Sequence, residues 1–127
     1  MQYVELVALI AVLQFFFFGF MTGRARLQSG LKAPAMTGHE GFERMYRVQM
    51  NTLELLVVFL PALFLAGKYW PSLWVASLGS VYLIGRFIYW RAYVTEPAGR
   101  TIGFVLSMVP TLALLILAFI GIVLSLF

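Results

Sequence analysis

Three residues that can bind a polar ligand stand at helical spacing just before a long apolar run. Arg47, Asn51 and Glu54 lie in the stretch ERMYRVQMNTLE, which runs from position 43 to 54. Steps of four and then three residues place all three side chains on one face of a helix. A guanidinium, an amide and a carboxylate on one face can together bind a small molecule through charge-assisted hydrogen bonds.

A second polar stripe lies further along the chain. Tyr82, Arg86, Tyr89 and Tyr93 follow steps of four, three and four residues, which again define one helix face. Arg86 falls inside an apolar segment, where a charge at mid-bilayer costs about 2.5–3.5 kcal/mol and marks a functional site by default. The two stripes together predict a cavity that takes a small, largely anionic polar molecule.

The same residues also have simpler, structural interpretations. Arg86 and Glu54 are candidates for a structural ion pair between two helices. Tyr89, Trp90 and Tyr93 also fit an aromatic belt at a membrane surface, where tyrosine and tryptophan are enriched. The combination of two stripes favours a binding site over either alternative.

The elements that position these residues are predicted to be membrane-spanning helices. The chain has 127 residues, of which 62% are hydrophobic and 11% charged, with a mean hydropathy of +0.94. A soluble domain has about twice that share of charged residues. We therefore expect an all-α integral membrane protein, a single four-transmembrane-helix bundle over residues 1–127, with spans of about 3–21, 47–67, 72–92 and 102–127.

The second span explains why its polar residues lie in the bilayer. The purely apolar run 55–67 covers only about 20 Å at 1.5 Å per residue, against about 30 Å of hydrocarbon. The helix must therefore include one or two turns upstream, which brings Glu54 and Asn51 to the membrane interface or below it.

Composition also excludes several classes of function. The chain has no cysteine and a single histidine, His39, so we expect no metal site and no protein thiol nucleophile. The net charge is +4, but the basic residues flank apolar runs, which favours orientation signals and anionic ligands or lipids over nucleic acid. Basic residues concentrate in the predicted loop 22–46 and the third connection. By the positive-inside rule these loops are cytoplasmic, and both termini lie outside.

Two motifs resemble those of a known family. The segment FERMYRVQMNTLE, followed by a proline-containing apolar helix, resembles the second-helix signature of the MAPEG superfamily, the membrane-associated proteins in eicosanoid and glutathione metabolism. The segment YLIGRFIYWRAYVTEPAGR resembles that family's third helix and the loop after it. The similarity covers nearly the whole chain, and it is greatest to the small bacterial members and to microsomal glutathione S-transferase.

The resemblance implies a homotrimer that binds glutathione between neighbouring subunits, in the bacterial inner membrane with the site near the cytoplasmic face. It implies that Arg100 stabilises the glutathione thiolate. Gln49 and Arg26 would act from the adjoining subunit, with Arg24 as an alternative to Arg26. The glutathione-binding set implied by the two motifs and the loop is Arg26, Arg47, Gln49, Asn51, Glu54, Arg86, Tyr89 and Tyr93.

The activity that the resemblance implies is glutathione transfer to a hydrophobic electrophile from the bilayer, with glutathione-dependent reduction of lipid hydroperoxides as a second expected activity. Leu55 stands where the leukotriene-forming members carry tyrosine, which disfavours an eicosanoid-type substrate. The alternative is a non-catalytic lipid-binding or regulatory scaffold of the same superfamily. The scaffold members lack arginine at the positions of Arg47 and Arg100, so these two residues favour an enzyme. A channel or transporter is disfavoured by the lack of an inverted repeat or a broken-helix pair.

Overall fold

Four long helices run up and down in succession through the chain. The computed structural model describes all 127 residues, which form only helices and their connections. The helices have 24 to 30 residues, so they are about 36–45 Å long and exceed the hydrocarbon thickness of a bilayer. All four are apolar enough to cross a membrane, which confirms the expected fold class of a four-helix membrane bundle. Their bounds are α1 Gln2–Ser29, α2 Glu40–Tyr69, α3 Ser72–Thr95 and α4 Thr101–Ser125, with a short 3-10 helix Pro97–Arg100 before α4.

The helices extend beyond the apolar spans, so the first connection is shorter than the expected loop 22–46. Only positions 30–39 separate α1 from α2. Local capping explains both ends. Gly30 adopts a φ of 78°, which favours glycine, and its N–H donates to the Arg26 carbonyl and closes α1. At the start of α2, the His39 Nδ1 accepts a hydrogen bond from the Phe42 N–H at 3.2 Å, so His39 is a helix cap.

Helices α2 and α3 form the centre of the bundle. Helix α1 packs against both of them on one side, and α4 packs against both on the other. The main core lies between the four helices, and within it the rings of Phe59 and Tyr82 stack with centroids 3.8 Å apart. Large apolar side chains such as Phe16, Phe119 and Leu73 are exposed on the outside, as a lipid-facing surface requires.

Two glycines allow α3 and α4 to approach each other closely. A Cβ atom at Gly85 would lie 2.7 Å from the Leu106 carbonyl carbon, and one at Gly103 would overlap the backbone of Tyr89. Small residues at such contacts are typical of helix packing in membranes, where close backbone approach provides the van der Waals contact.

The two ends of the bundle differ in charge. At one end, the Met1 ammonium donates to the Ser72 hydroxyl at 2.6 Å, and Lys68 is the only basic side chain. The other end is formed by the last turns of α1 and α3 and the first turns of α2 and α4. We call it the basic end because it carries Arg24, Arg26, Lys32, Arg44, Arg47, Arg91 and Arg100.

Candidate functional site

An open cleft of about 520 Å³ lies at the basic end, between the start of α2, the end of α3 and the start of α4. Five of the nine predicted site residues meet in it. They come from segments up to 53 positions apart, so only the fold brings them together. We call it the arginine–tyrosine cleft; it is lined by Arg47, Asn51, Tyr89, Tyr93 and Arg100, together with Thr101 and Phe104.

The two charged residues of the α2 stripe pair with each other. Arg47 Nη1 lies 3.3 Å from Glu54 Oε1, and both side chains are more than half exposed. Glu54 does not itself line the cleft but extends its charged rim through Arg47. Since the pair is exposed, it contributes little to stability, and both charges stay accessible to a ligand.

Arg86 is fully buried and does not line the cleft. Its Nε donates to the Ser107 hydroxyl at 2.9 Å, and its Nη1 donates to Asn51 Oδ1 at 2.7 Å. The alternative of an Arg86–Glu54 ion pair is therefore wrong, because Glu54 pairs with Arg47 and the amide of Asn51 takes its place. Arg86 also covers the face of Tyr89, with its central carbon 4.3 Å from the ring centroid.

This network orients two groups of the cleft. The Asn51 oxygen accepts from Arg86, so the Asn51 amide N–H groups remain as donors for a ligand. One face of the Tyr89 ring packs against the Arg86 guanidinium. The Tyr89 ring also stacks on that of Tyr93, with ring centroids 5.4 Å apart. The cleft therefore presents two guanidinium groups, amide donors and phenols, which together suit an anionic peptide-like molecule.

Arg100 ends the 3-10 helix and lies where α4 begins. Its Nη1 donates to the Pro97 carbonyl at 2.8 Å, which leaves its other N–H groups available to the cleft. The first residue of α4, Thr101, lines the same cleft. The positive end of the α4 dipole therefore adds to the guanidinium charge at this point.

The remaining predicted residues lie elsewhere in the chain. Gln49 faces a separate cleft of about 320 Å³ beside Gly19 and the phenylalanines of α1. Arg26 donates to the Ala35 carbonyl at 2.7 Å and covers the ring of Phe42 at 4.5 Å. Neither Arg26 nor Arg24 reaches the arginine–tyrosine cleft of its own chain.

Four residues of this region were not among the predicted site residues. Thr101 and Phe104 line the cleft, and Thr52 and Ser107 hold Arg86 from inside the bundle. Ser107 offered a signal, because a serine within the apolar α4 needs a hydrogen-bond partner in a membrane. Thr52 offered none, since a threonine beside Asn51 fits the polar start of the helix equally well.

The fold and the cleft define a four-helix membrane protein with a cleft lined by cationic side chains at one end. The MAPEG family matches residues 4–120, and the chain belongs to this family, which confirms the resemblance.

Several relatives align over most of the chain. An uncharacterized protein of Synechocystis sp. is 38% identical over 117 residues, which is 92% of this chain and 85% of the relative. Microsomal glutathione S-transferase 2 of Mus musculus is 37% identical over 114 residues, 86% of this chain and 78% of the relative. Leukotriene C4 synthase of Cavia porcellus is 38% identical over 87 residues, 68% of this chain and 58% of the relative.

Proposed function

We propose that the protein is a membrane glutathione transferase that conjugates the glutathione thiolate to lipophilic electrophiles. The observation that carries this proposal is the meeting of Arg47, Asn51, Tyr89, Tyr93 and Arg100 in one cleft. Family membership and the similarity to microsomal glutathione S-transferase 2 support glutathione as the co-substrate.

The charges of the cleft complement those of glutathione. Glutathione has two carboxylates and one ammonium, and its γ-glutamyl end carries one of each on the same carbon. Arg47 suits that carboxylate, because its planar guanidinium can donate two parallel hydrogen bonds. Glu54 suits the ammonium. When glutathione binds, its carboxylate pairs with Arg47 and its ammonium with Glu54, in place of the Arg47–Glu54 ion pair. The Asn51 amide N–H groups then donate to a peptide carbonyl of the ligand.

Arg100 supplies the chemical activation. A free thiol of the cysteine type has a pKa of about 8.5, so it is mostly protonated at neutral pH. A guanidinium beside the sulfur, together with the start of α4, stabilises the thiolate and lowers the pKa of the bound thiol. The thiolate then forms a carbon–sulfur bond with the electrophile, and the leaving group departs with its electron pair.

The same thiolate can reduce a lipid hydroperoxide. The sulfur attacks the terminal peroxide oxygen and the O–O bond breaks, so that glutathione sulfenic acid forms. The lipid leaves as an alkoxide and becomes the alcohol by taking up a proton equivalent to the one that the thiol released. A second glutathione converts this acid to the disulfide and water. Peroxidase activity is therefore part of the proposal, and the balance between the two reactions depends on which substrate enters from the bilayer.

The proposal includes an assembly and an orientation. Arg26 and Gln49 point away from the cleft of their own chain, which agrees with a homotrimer in which they complete the site of the adjoining subunit. The excess of basic residues at one end agrees with a cytoplasmic location of that end, in a bacterial inner membrane.

The direct test uses purified protein and glutathione. The thiolate absorbs in the ultraviolet, so adding glutathione at neutral pH produces a thiolate difference signal, and a chlorinated dinitrobenzene is then conjugated. A Lys32→Ala variant is the control, because Lys32 lies at the same end outside the cleft. A protein that binds glutathione without a thiolate signal and without conjugation would be a non-catalytic scaffold, and the transferase proposal would be wrong.

A further inference from the structure

We propose that a second cleft at the basic end binds an anionic phospholipid, whose headgroup phosphate is held by Arg24 and Arg91. This cleft has a volume of about 380 Å³ and lies between the last turns of α1 and α3 and the start of α2. We call it the interfacial cleft. Both arginines line it, and it shares no lining residue with the arginine–tyrosine cleft.

Arg24 and Arg91 differ from the other arginines in having no acceptor within the chain. Two of the nine basic residues are lysines, so seven are arginines. Five of these bind an oxygen acceptor within the chain, namely Arg26, Arg44, Arg47, Arg86 and Arg100. Only Arg24 and Arg91 have no such acceptor, and both line the interfacial cleft. Two guanidinium groups without a protein acceptor at one cleft indicate an anionic ligand from outside the chain.

The rest of the lining is suited to a lipid. Six of the eleven lining residues are hydrophobic, and they include Phe42, Met45 and Trp90. Trp90 packs edge-on against Phe17 with ring centroids 5.3 Å apart, and Arg91 lies 5.1 Å from the Trp90 ring centroid. A tryptophan with an apolar wall behind it and a guanidinium in front is typical of headgroup depth in a membrane.

Charge complementarity selects the kind of lipid. Arginine binds phosphate through two parallel hydrogen bonds, and basic residues at the cytoplasmic surface attract anionic lipids. No carboxylate lines the interfacial cleft. The nearby Glu40 pairs with Arg44, and Glu43 accepts a hydrogen bond from the Gly38 N–H. The ammonium of a zwitterionic headgroup therefore finds no partner in the cleft, so a lipid with net negative charge binds preferentially.

Arg91 distinguishes the proposed lipid site from the proposed glutathione site. Arg24 is also an alternative to Arg26 in the glutathione site of a neighbouring subunit, so its substitution would affect both proposals. Arg91 has no part in the glutathione site. A result at Arg91 therefore bears on the lipid site whether or not the transferase proposal is correct.

The test is native mass spectrometry of the purified full chain with added lipid. Phosphatidylglycerol and phosphatidylcholine with the same acyl chains are the two probes. We expect the unmodified chain to retain phosphatidylglycerol preferentially. Arg91→Gln should weaken this binding about fivefold, the factor typical of one basic residue near an anionic lipid surface. Arg91→Lys should keep most of the preference because it keeps the charge, and Lys32→Gln, which removes a charge outside the cleft, should have no effect.

Three results would overturn the proposal. One is equal retention of the two lipids by the unmodified chain. Another is an equal loss of binding in Arg91→Gln and Lys32→Gln, which would indicate general surface charge. The third is full displacement of phosphatidylglycerol by an equal concentration of inorganic phosphate, which would indicate a soluble anion as the ligand. Glutathione binding measured in parallel should be unchanged in Arg91→Gln.

Discussion

Among single residues, Arg86 connects the interior of the bundle to the candidate site. Its guanidinium is buried between α2, α3 and α4 and donates to Asn51, Thr52 and Ser107. None of these acceptors is charged, and the buried Nη2 of Arg86 has no hydrogen-bond partner, so the three hydrogen bonds offset only part of the cost of burying the charge. Arg86 contacts the Asn51 amide and the Tyr89 ring without lining the cleft itself, so we expect it to act as a positioning residue.

Removing Arg86 should destabilise the protein. We expect Arg86→Ala to lower the free energy of unfolding by about 2–4 kcal/mol, since it leaves buried hydroxyls and an amide without their donor. The matched control is Arg91→Ala on the same helix, an exposed position where the change should stay within about 0.5 kcal/mol. Thermal unfolding in detergent without added lipid measures both. Equal stability of the two variants would show that the network contributes nothing.

Arg100 and Arg47 should affect different steps. Arg100→Ala should lower kcat by about 10²-fold, the order expected for one group that stabilises developing negative charge, while glutathione affinity changes little. Arg47→Ala should weaken glutathione affinity about tenfold or more, because a charge-assisted hydrogen bond contributes about 1.5–3 kcal/mol.

Steady-state kinetics and equilibrium binding on the same preparations separate these two effects. In Arg100→Ala, the pH dependence of kcat should also move upward, toward the pKa of the free thiol. Unchanged turnover in Arg100→Ala would contradict the role assigned to Arg100, even though family membership would stand.

The sequence predicted which residues share a face but not every partner. The helical spacing placed Arg47 and Asn51 together, and the structure brings them to one cleft with Tyr89 and Tyr93. The spacing did not predict that Arg86 donates to Asn51 and not to Glu54, because Asn51 and Glu54 lie one turn apart on the same helix face. Which of the two contacts Arg86 depends on the axial shift between α2 and α3. That shift is fixed by contacts along the whole length of both helices.

At the scale of helices, the contact between α3 and α4 forms one wall of the candidate site. Gly103 lies against the backbone of Tyr89, and Tyr89 lines the cleft. The distance between these helices therefore sets the position of Tyr89 relative to Arg100 at the start of α4.

Gly103→Ala should push α4 away from α3. We expect a lower melting temperature and weaker glutathione binding, because the new methyl group overlaps backbone atoms that cannot move independently. Gly23→Ala is the matched control, since a Cβ at Gly23 meets no atom within 4 Å and alanine favours the helix by about 0.5–1 kcal/mol. Thermal unfolding and glutathione titration of both variants test this, and a Gly103→Ala protein with unchanged affinity would contradict the proposed coupling.

The four helices were predictable from hydropathy, whereas their ends were not. Apolar length identifies the part of a helix that lies in lipid, and it gave α1 an expected end near residue 21. The helix continues to Ser29 because Gly30 provides its cap, and α2 starts at Glu40 because His39 caps it. Polar turns outside the lipid lengthen a helix but leave the apolar pattern of its sequence unchanged, so hydropathy does not show where the helix ends.

In the whole molecule, a single chain does not bring all the predicted site residues together. Arg26 and Gln49 face away from the arginine–tyrosine cleft. A trimer with one site at each subunit contact would bring them to the cleft of a neighbour. Sequence spacing along one chain carries no information about contacts between copies, so this part of the expectation came from the family resemblance.

Mixed trimers provide a test of the shared site. Arg26→Ala removes the group that we propose to act in the neighbour's site, and Arg100→Ala removes a group that lines the chain's own cleft. If each site takes residues from two chains, as we propose, co-expression of the two variants should restore about a quarter of the sites when the chains mix at random. Activity no higher than that of the separate variants would indicate that Arg26 and Arg100 serve the same chain or that Arg26 has no role.

We propose that the arginine–tyrosine cleft binds glutathione and places its thiol beside Arg100, and a structure determined with glutathione bound tests both points. We expect one glutathione per cleft, with a carboxylate on Arg47, the ammonium at Glu54 and the sulfur in contact with the Arg100 guanidinium. Glutathione bound at another place, or in this cleft with its sulfur directed away from Arg100, would show that the proposed mechanism is wrong.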